Sequence, residues 1–302
     1  MKIIITGSLG HISRPLTLQL VQEGHNVTVV SSNNSRSAEI TLLGATPAIG
    51  SLEDAAFLTK TFTGADAVYT MIPPNNYFDH SLDLVEYYRR LGNNYKQAVQ
   101  QSGVKRQVHL STIGAHLSKG NGILLGAHYV EGILDTPDSK VDLTFMRPTS
   151  FYYNLYGYMP MIKQLGFIAA NYGADDVVPW VSPLDIATAV AEELTATRGS
   201  KIRYVCSHEA TCSETAGILG NAIGMPHLKW SRISDEESAA GLKAIGMNPQ
   251  IADGLAEMYA GLHTGLLSED YFNNRPVMGK VKLQDFAVEF AENYNKGGAP
   301  VH

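Results

Sequence analysis

The sequence predicts an α/β protein with a doubly wound parallel sheet of the Rossmann type and a smaller α-rich C-terminal lobe. Two observations favour this fold class. Short apolar runs alternate with segments of helical period as far as about residue 147, which is typical of repeated βαβ units. A glycine pair, Gly7 and Gly10, lies between the first apolar run and the first helical segment, where dinucleotide-binding folds carry their phosphate loop.

The elements of the N-terminal half follow one another in a regular order. Strands are expected at 3–6, 26–30, 65–71, 106–110 and 141–146, and helices at 15–23, 54–62, 81–102 and 126–134. Right-handed crossovers place such helices on both faces of one parallel sheet.

The pattern becomes less regular after Pro148. An aromatic stretch at 151–158 is followed by a helix-like segment at 182–195 and a strand-like run at 201–206. We therefore expect a cofactor domain built from 1–150, with 175–206 returning to its sheet. The smaller substrate or partner lobe is expected to comprise 151–174 and 207–302.

Composition and charge narrow the function classes. The chain has 302 residues, 44% of them apolar, and a net charge of -6 from 23 basic and 29 acidic residues. This apolar content can fill a core and argues against disorder. The net negative charge disfavours nucleic acid as a partner. Cys206, Cys212 and the scattered histidines lack the spacing of a disulfide framework or a metal site, so no metal is predicted.

The first residues carry no targeting signal that we recognise. The apolar run 3–5 is too short for a signal-peptide core or a membrane span. We therefore expect a cytoplasmic protein that does not bind a membrane, acts on a small molecule and is a monomer or a homodimer.

The segment from Thr6 to Ser13 is the first motif that carries chemistry. Its glycines permit a tight turn, so that backbone N–H groups approach a pyrophosphate at the helix N-terminus. Ser13 stands where a third glycine is usual, and serine is small enough for close helix packing. The alternative is an ordinary turn between a strand and a helix.

The end of the second strand favours NADP(H) over NAD(H). No Asp or Glu occurs between residues 24 and 38, although an acid in this region normally binds the ribose 2′-hydroxyl of NAD. Instead Ser31, Ser32 and Asn33 offer polar groups, and the guanidinium of Arg36 suits a 2′-phosphate. Alternatively, Arg36 only caps the following helix or is solvated.

Four motifs together resemble a known family. They are Thr6-Gly7-x-x-Gly10, the run from Ala67 to Pro74, the run from Val108 to Thr112, and the run from Thr144 to Pro148 with Phe151 and Asn154. Their order resembles the NmrA-like branch of the atypical short-chain dehydrogenases/reductases, in particular the type-2 NADPH:quinone reductases. The resemblance covers roughly the first two-thirds of the chain.

The resemblance implies roles for the matching residues. The residues expected to line the pyrophosphate are Gly7, Leu9, Gly10, His11 and Ile12. Those expected at the adenosine ribose and its phosphate are Ser31, Ser32 and Arg36. Met71, Ile72, Pro73 and Pro148 are expected beside the cofactor, and Ser111 and Thr112 near the nicotinamide ribose. Strand-end capping is the alternative role of the two hydroxyls.

The usual catalytic pair of the superfamily is missing from the sequence. None of the 15 tyrosines is followed by Lys four residues later. His128 and Glu131 lie three residues apart and share a helix face. We expect His128 to orient the nicotinamide ribose or donate a proton, with its pKa raised by Glu131. A purely structural His–Glu pair is the alternative.

The aromatic run 151–158 predicts a pocket for a flat apolar substrate with polar tips. Its expected lining residues are Tyr77, Phe151, Tyr152, Tyr153 and Asn154. Core packing at a domain junction is the alternative for this run.

Two main functions and one weaker alternative follow from these predictions. The leading one is NADPH-dependent reduction of quinones or similar electron-poor small molecules, which accept hydride without a dedicated acid. The alternative is a non-catalytic NADP(H) sensor of the NmrA type. An epimerase-like enzyme is a weaker third possibility, because that chemistry needs the missing Tyr–Lys pair.

Overall fold

The computed structural model describes residues 1–136 and 140–296 and confirms the predicted α/β fold. The strands are β1 (Lys2–Ile5), β2 (Asn26–Ser31), β3 (Thr46–Ile49), β4 (Ala67–Met71), β5 (Arg106–Leu110), β6 (Asp142–Pro148), β7 (Ser150–Phe151), β8 (Ile168–Ala170), β9 (Val177–Val181), β10 (Ile202–Val205), β11 (His208–Thr211) and β12 (Trp230–Arg232).

The helices alternate with these strands in the first half of the chain and predominate near its end. They are α1 (Ser13–Gln22), α2 (Ser37–Leu42), α3 (Ala55–Phe62), α4 (Leu84–Ser102), α5 (Leu125–Leu134), α6 (Met159–Leu165), α7 (Pro183–Thr195), α8 (Cys212–Ala222), α9 (Asp235–Ala244), α10 (Pro249–His263), α11 (Glu269–Asn273) and α12 (Leu283–Asn295). Short 3-10 helices lie at Asn34–Arg36, Gly122–Leu124 and Tyr152–Tyr158.

The main sheet positions the functional site. Among the described residues it has seven parallel strands in the order β10, β6, β5, β4, β1, β2, β3. The chain passes from β1 to β2 and β3 on one side, and then from β4 to β6 on the other. Because ligands of such sheets bind where the strand order reverses, the carboxyl ends of β1 and β4 mark the expected crevice.

Apolar side chains cover both faces of this sheet. On one face α1 and α7 pack against β1, β2 and β4 around Ile3, Leu16 and Val190. On the other face α3, α4 and α5 cover Ile4, Val68 and Phe145. Strands that are buried on both sides read as continuous apolar runs, which explains why they were recognisable in the sequence.

Local capping fixes where the crossover helices begin and end. The side chain of Asp54 accepts hydrogen bonds from two N–H groups of α3, and that of Asp83 accepts one from Glu86 in α4. Gly103 ends α4 in the left-handed conformation with φ +77°, which glycine adopts without strain.

The rest of the chain builds smaller sheets beside the main one. β9 pairs with β11 and β7, and β8 pairs with β12. A separate core around Tyr156, Trp180 and Phe290 joins these strands to α8 and α12. Of the predicted returning segment 175–206, β10 enters the main sheet and α7 covers one of its faces, whereas β9 lies outside it. Residues 137–139 and 297–302 of the predicted domains lie outside the described residues.

Within the described ranges 1–136 and 140–296, no helix has the length and apolar character needed to cross a membrane.

Candidate cofactor and substrate site

The glycine loop requires glycine at its first position. Gly7 has φ +89°, a conformation that side-chain-bearing residues rarely adopt. A Cβ atom there would lie 2.8 Å from the Ser13 hydroxyl oxygen and 3.1 Å from the Met71 sulfur. The Gly10 N–H donates to the Gly7 carbonyl at 3.1 Å and closes the turn. The chain therefore turns sharply from β1 towards α1.

Ser13 connects the strand to the helix. Its buried hydroxyl donates to the Thr6 carbonyl at 2.8 Å. The third glycine position is thus filled by a residue that packs closely and also satisfies a strand-end carbonyl.

The N-terminus of α1 faces the crevice without a side-chain cap. Ile12 occupies the cap position and provides no capping hydrogen bond. Ile12 is buried and Leu9 is partly buried against the same core, whereas Gly10 and His11 are exposed. Because the N-terminal N–H groups and the helix dipole favour an anion, this loop fits the pyrophosphate of a dinucleotide.

The predicted adenosine side lies at the end of β2. The Ser8 hydroxyl donates to the buried Ser31 hydroxyl at 2.9 Å, which joins the glycine loop to this strand. Ser32 is exposed. The Asn33 side chain accepts from the backbone N–H of Ser35 at 2.9 Å and caps the following 3-10 helix.

The exposed guanidinium of Arg36 contacts Glu39, which was not among the predicted site residues. Its Nη1 lies 2.8 Å from Oε2 of Glu39, which follows the acid-free segment 24–38 by one residue. Arg14, in the first turn of α1, also contacts Glu39, at 3.4 Å. Arg14 was missed as well, although it directly follows the glycine loop.

The end of β4 forms the other wall of the crevice. The Met71 N–H donates to the Thr6 hydroxyl at 3.2 Å, and the Tyr95 hydroxyl donates to the Met71 carbonyl at 2.7 Å. Ile72 is buried and Pro73 is half-buried. Met71 therefore borders both the crevice and Gly7.

Ser111 directly follows β5 and belongs to a buried ionic network. Its hydroxyl donates to the Glu131 carboxylate at 2.5 Å. The same carboxylate accepts from Arg147 at 3.0 Å from Nε and 2.6 Å from Nη2. Arg147 is 4% exposed, and Asp270 lies 3.3 Å from its Nη1. Burial lowers the pKa of Arg147, but the hydrogen bonds and charge of Glu131 outweigh this effect and raise that pKa.

The structure does not pair His128 with Glu131. The Nδ1 atom of His128 lies 2.9 Å from the Ala115 carbonyl oxygen, so it donates there, and Glu131 is bound to Arg147 instead. His128 lines a groove of about 480 Å³ between α5 and the edge of the sheet, together with His116 and Lys201. The expected pairing of His128 with Glu131 is wrong, because Arg147 offers Glu131 a full positive charge and a bidentate contact.

Two further predicted cofactor residues follow the strand ends. Thr112 is half-buried, and its carbonyl accepts from the Ala115 N–H. Pro148 is the last residue of β6, and its carbonyl accepts from the Ile113 N–H at 2.9 Å. Both help to shape the loop after β5, near Ser111.

An aromatic stack connects the glycine loop to the predicted substrate segment. The rings of His11 and Tyr153 stack with centroids 4.9 Å apart, and Tyr153 stacks on Phe151 at the same distance. Burial and the nearby Tyr77 raise the pKa of Tyr153, so its hydroxyl stays protonated at neutral pH. Asn154 is exposed.

Tyr152 is not a pocket residue, contrary to expectation. It is 1% exposed, its ring stacks on Phe286 at 5.2 Å, and its hydroxyl donates to the Val281 carbonyl. The aromatic run 151–158 therefore contributes both to the crevice and to core packing. Tyr153 lies beside the crevice, whereas Tyr152 and Tyr156 belong to the core of the C-terminal lobe.

The fold and the loop define a protein of the dinucleotide-binding Rossmann class, and comparison with known sequences agrees. A family model described as NAD(P)H-binding matches residues 7–157. The chain therefore belongs to this NAD(P)H-binding family.

The chain is also similar to individual proteins along nearly its whole length. A (4-alkanoyl-5-oxo-2,5-dihydrofuran-3-yl)methyl phosphate reductase of Streptomyces griseus is 24% identical over 299 residues, which cover 97% of this chain and 99% of the relative.

Two solved structures share the fold. The NADPH complex of an NADPH-dependent quinone oxidoreductase from Escherichia coli has a TM-score of 0.77 and 19% identity, covering 95% of this chain and 99% of the other. The NADP(H) complex of a triphenylmethane reductase from Citrobacter sp. has a TM-score of 0.77 and 19% identity, covering 96% and 99%.

Proposed function

We propose that this chain is an NADPH-dependent reductase of quinones or similar conjugated, electron-poor small molecules. The observation that carries the proposal is the stack of His11, Tyr153 and Phe151. It sets a flat aromatic surface directly beside the loop that fits the pyrophosphate. A planar acceptor held against this surface would lie next to the cofactor crevice.

The residues of the glycine loop would hold the cofactor in the proposed enzyme. The N–H groups at the start of α1 would bind the pyrophosphate, and Ser31 with Arg36 would bind the adenosine ribose and its 2′-phosphate. Reduced nicotinamide supplies a hydride to an acceptor. A quinone that gains the hydride takes its proton from water, so the missing Tyr–Lys pair is not needed for this chemistry.

The names of the similar proteins favour the same class of acceptor. A dihydrofuranone, a quinone and a triphenylmethane dye are all conjugated molecules. These compounds are named for the relative, for the quinone oxidoreductase and for a further structure of the triphenylmethane reductase. We propose an acceptor of this class, NADP(H) as the preferred cofactor and a cytoplasmic location for this chain.

A non-catalytic NADP(H) sensor is the second candidate. It is favoured because other groups of the protein already bind both predicted catalytic side chains. Glu131 is held by Arg147, and Nδ1 of His128 is held by the Ala115 carbonyl. If His128 nevertheless orients the ribose or donates a proton, His128→Ala lowers turnover or NADPH affinity. Unchanged values of both would exclude that role.

Binding and turnover measured on one sample test the proposal. NADPH and NADH are titrated by calorimetry or fluorescence, and 1,4-benzoquinone is then added while NADPH absorbance is followed. We expect selective NADPH binding and many turnovers per protein molecule. Selective binding without turnover of any conjugated acceptor would favour the sensor. Failure to bind either nucleotide would overturn both candidates.

Matched variants make this test specific to the site. Gly7→Ala should abolish binding because of its clash with Ser13 and Met71. Gly241→Ala is the control, since a Cβ there meets nothing within 4 Å. Arg36→Ala should weaken NADPH by about tenfold or more while leaving NADH unchanged, as expected for loss of a charge-assisted phosphate contact.

A further inference from the structure

Two guanidinium groups share one carboxylate at the predicted adenosine side. Arg36 contacts Oε2 of Glu39 at 2.8 Å, and Arg14 contacts Oε1 at 3.4 Å. The side chains of Arg14, Arg36 and Glu39 are 52%, 49% and 39% exposed, respectively. An arriving ligand can therefore reach all three groups.

These residues come from the segments that meet at the crevice. Arg14 follows the glycine loop on α1, and Arg36 follows the end of β2. The hydrogen bond between Ser8 and Ser31 joins the same two segments. The arginines thus flank the position where a dinucleotide bound to the glycine loop would place its adenosine ribose.

The charge of the cluster suits a phosphate better than it suits a single carboxylate. The hydrogen bonds from Arg36 and Arg14 lower the pKa of Glu39, so the cluster holds two positive charges and one negative charge at neutral pH. A phosphate monoester carries a charge of about -1.5 to -2 and three acceptor oxygens. Two guanidiniums can contact such a group from two sides.

We propose that Arg14 and Arg36 together bind the 2′-phosphate of NADPH, and that Glu39 holds both arginines until the phosphate displaces it. This inference rests on the proposed function, because it takes NADPH as the ligand. Glu39 competes with the 2′-phosphate of NADPH for the two arginines. NADH has no 2′-phosphate, so its binding involves no such competition. It therefore tunes the discrimination between the two nucleotides.

The affinities of two single variants for NADPH and NADH test this arrangement. Because an exposed ion pair changes an equilibrium by a factor of about five at most, Glu39→Gln should tighten NADPH binding by about two- to fivefold and leave NADH unchanged. Arg14→Ala removes a charged contact and should weaken NADPH by about tenfold or more, again with NADH unchanged.

A matched control comes from an ion pair elsewhere in the chain. Arg275 is 54% exposed and contacts Glu209 at 3.0 Å, so Arg275→Ala should leave both affinities unchanged. Melting temperatures of all variants show whether each protein is folded before its affinities are compared.

Three results separate this inference from the proposed function. If Arg14→Ala weakens the binding of both nucleotides equally, or if its affinities match those of Arg275→Ala, Arg14 does not bind the 2′-phosphate. If Glu39→Gln weakens NADH, Glu39 binds the ribose and is not a competitor. If all the expected affinity changes occur but no acceptor is reduced, the phosphate site stands and the reductase proposal fails.

Discussion

Replacing Glu131 with Gln separates a structural role from a catalytic one. Arg147 is 4% exposed, and the Glu131 side chain is 12% exposed, so the variant leaves an almost fully buried guanidinium without its main counter-ion. Breaking a buried pair on one side costs about 3–5 kcal/mol. Asp270, 3.3 Å from Nη1 and partly exposed, offsets part of this loss. We therefore expect a cost of about 3 kcal/mol.

This cost is large enough to measure by thermal unfolding. At roughly 2–4 °C per kcal/mol, Glu131→Gln should lower Tm by about 6–12 °C. Asp253→Asn serves as the control, because its pair with Lys243 is exposed and contributes less than about 1 kcal/mol. The double variant Glu131→Leu with Arg147→Met should recover most of the lost stability, since it removes both buried charges of the pair. The Asp270 carboxylate that it leaves is partly exposed and still accepts a hydrogen bond from the Tyr204 hydroxyl.

Turnover of the folded variants provides the decisive comparison. If Glu131 acts only as the partner of Arg147, Glu131→Gln should lower Tm but change kcat, measured well below Tm, by less than about tenfold. An unchanged Tm together with a drop of more than about tenfold in kcat, the range of a lost general acid or base, would refute our interpretation.

Two further predictions concern buried or stacked rings. Tyr153→Ala should raise KM for a planar acceptor by about two- to tenfold, the range of one aromatic contact, whereas Tyr153→Phe keeps the ring and should behave like the wild type; equal effects would exclude the stack as the binding surface. Burial lowers the pKa of His109 to about 3, and its Nδ1 lies 2.9 Å from the Thr70 hydroxyl. Below pH 6.5 this residue is protonated only in the unfolded chain. The contribution of His109 to the free energy of unfolding should therefore fall by about 1.4 kcal/mol per pH unit towards pH 3. His109→Gln should reduce that slope in a series of Tm measurements, and identical slopes would contradict the assignment.

The N-terminal half of the fold could be predicted because its signals are local. An apolar run such as 3–5 and a helical pattern such as 81–102 are visible within a few residues of sequence. β3 was missed because it is short and half-exposed and contains Pro47, features that weaken a strand pattern. The glycine loop was predictable for the same local reason, since its function depends on consecutive residues between one strand and one helix.

The side-chain partners in the site were harder to predict. Glu131 shares a helix face with His128, but its strongest partner is Arg147, on a strand brought alongside by the sheet. Tyr152 was expected in a pocket, and Phe286, far away in the sequence, holds it in a core. Sequence spacing cannot rank such partners, because the fold decides which charge or ring comes close.

Because β10 returns to the edge of the main sheet, it limits which fragments of the chain can be stable and affects how the chain folds during synthesis. Ile202 lies opposite Phe145, and Tyr204 opposite Arg147, so β10 covers a border of β6 that would otherwise expose unpaired backbone groups. A fragment ending at residue 150 would lack both this strand and α7, which covers the α1 face of the sheet. Such an open edge is a template for aggregation. During synthesis, the nucleotide-binding half therefore completes its sheet only after the segment containing β7 to β9 has left the ribosome.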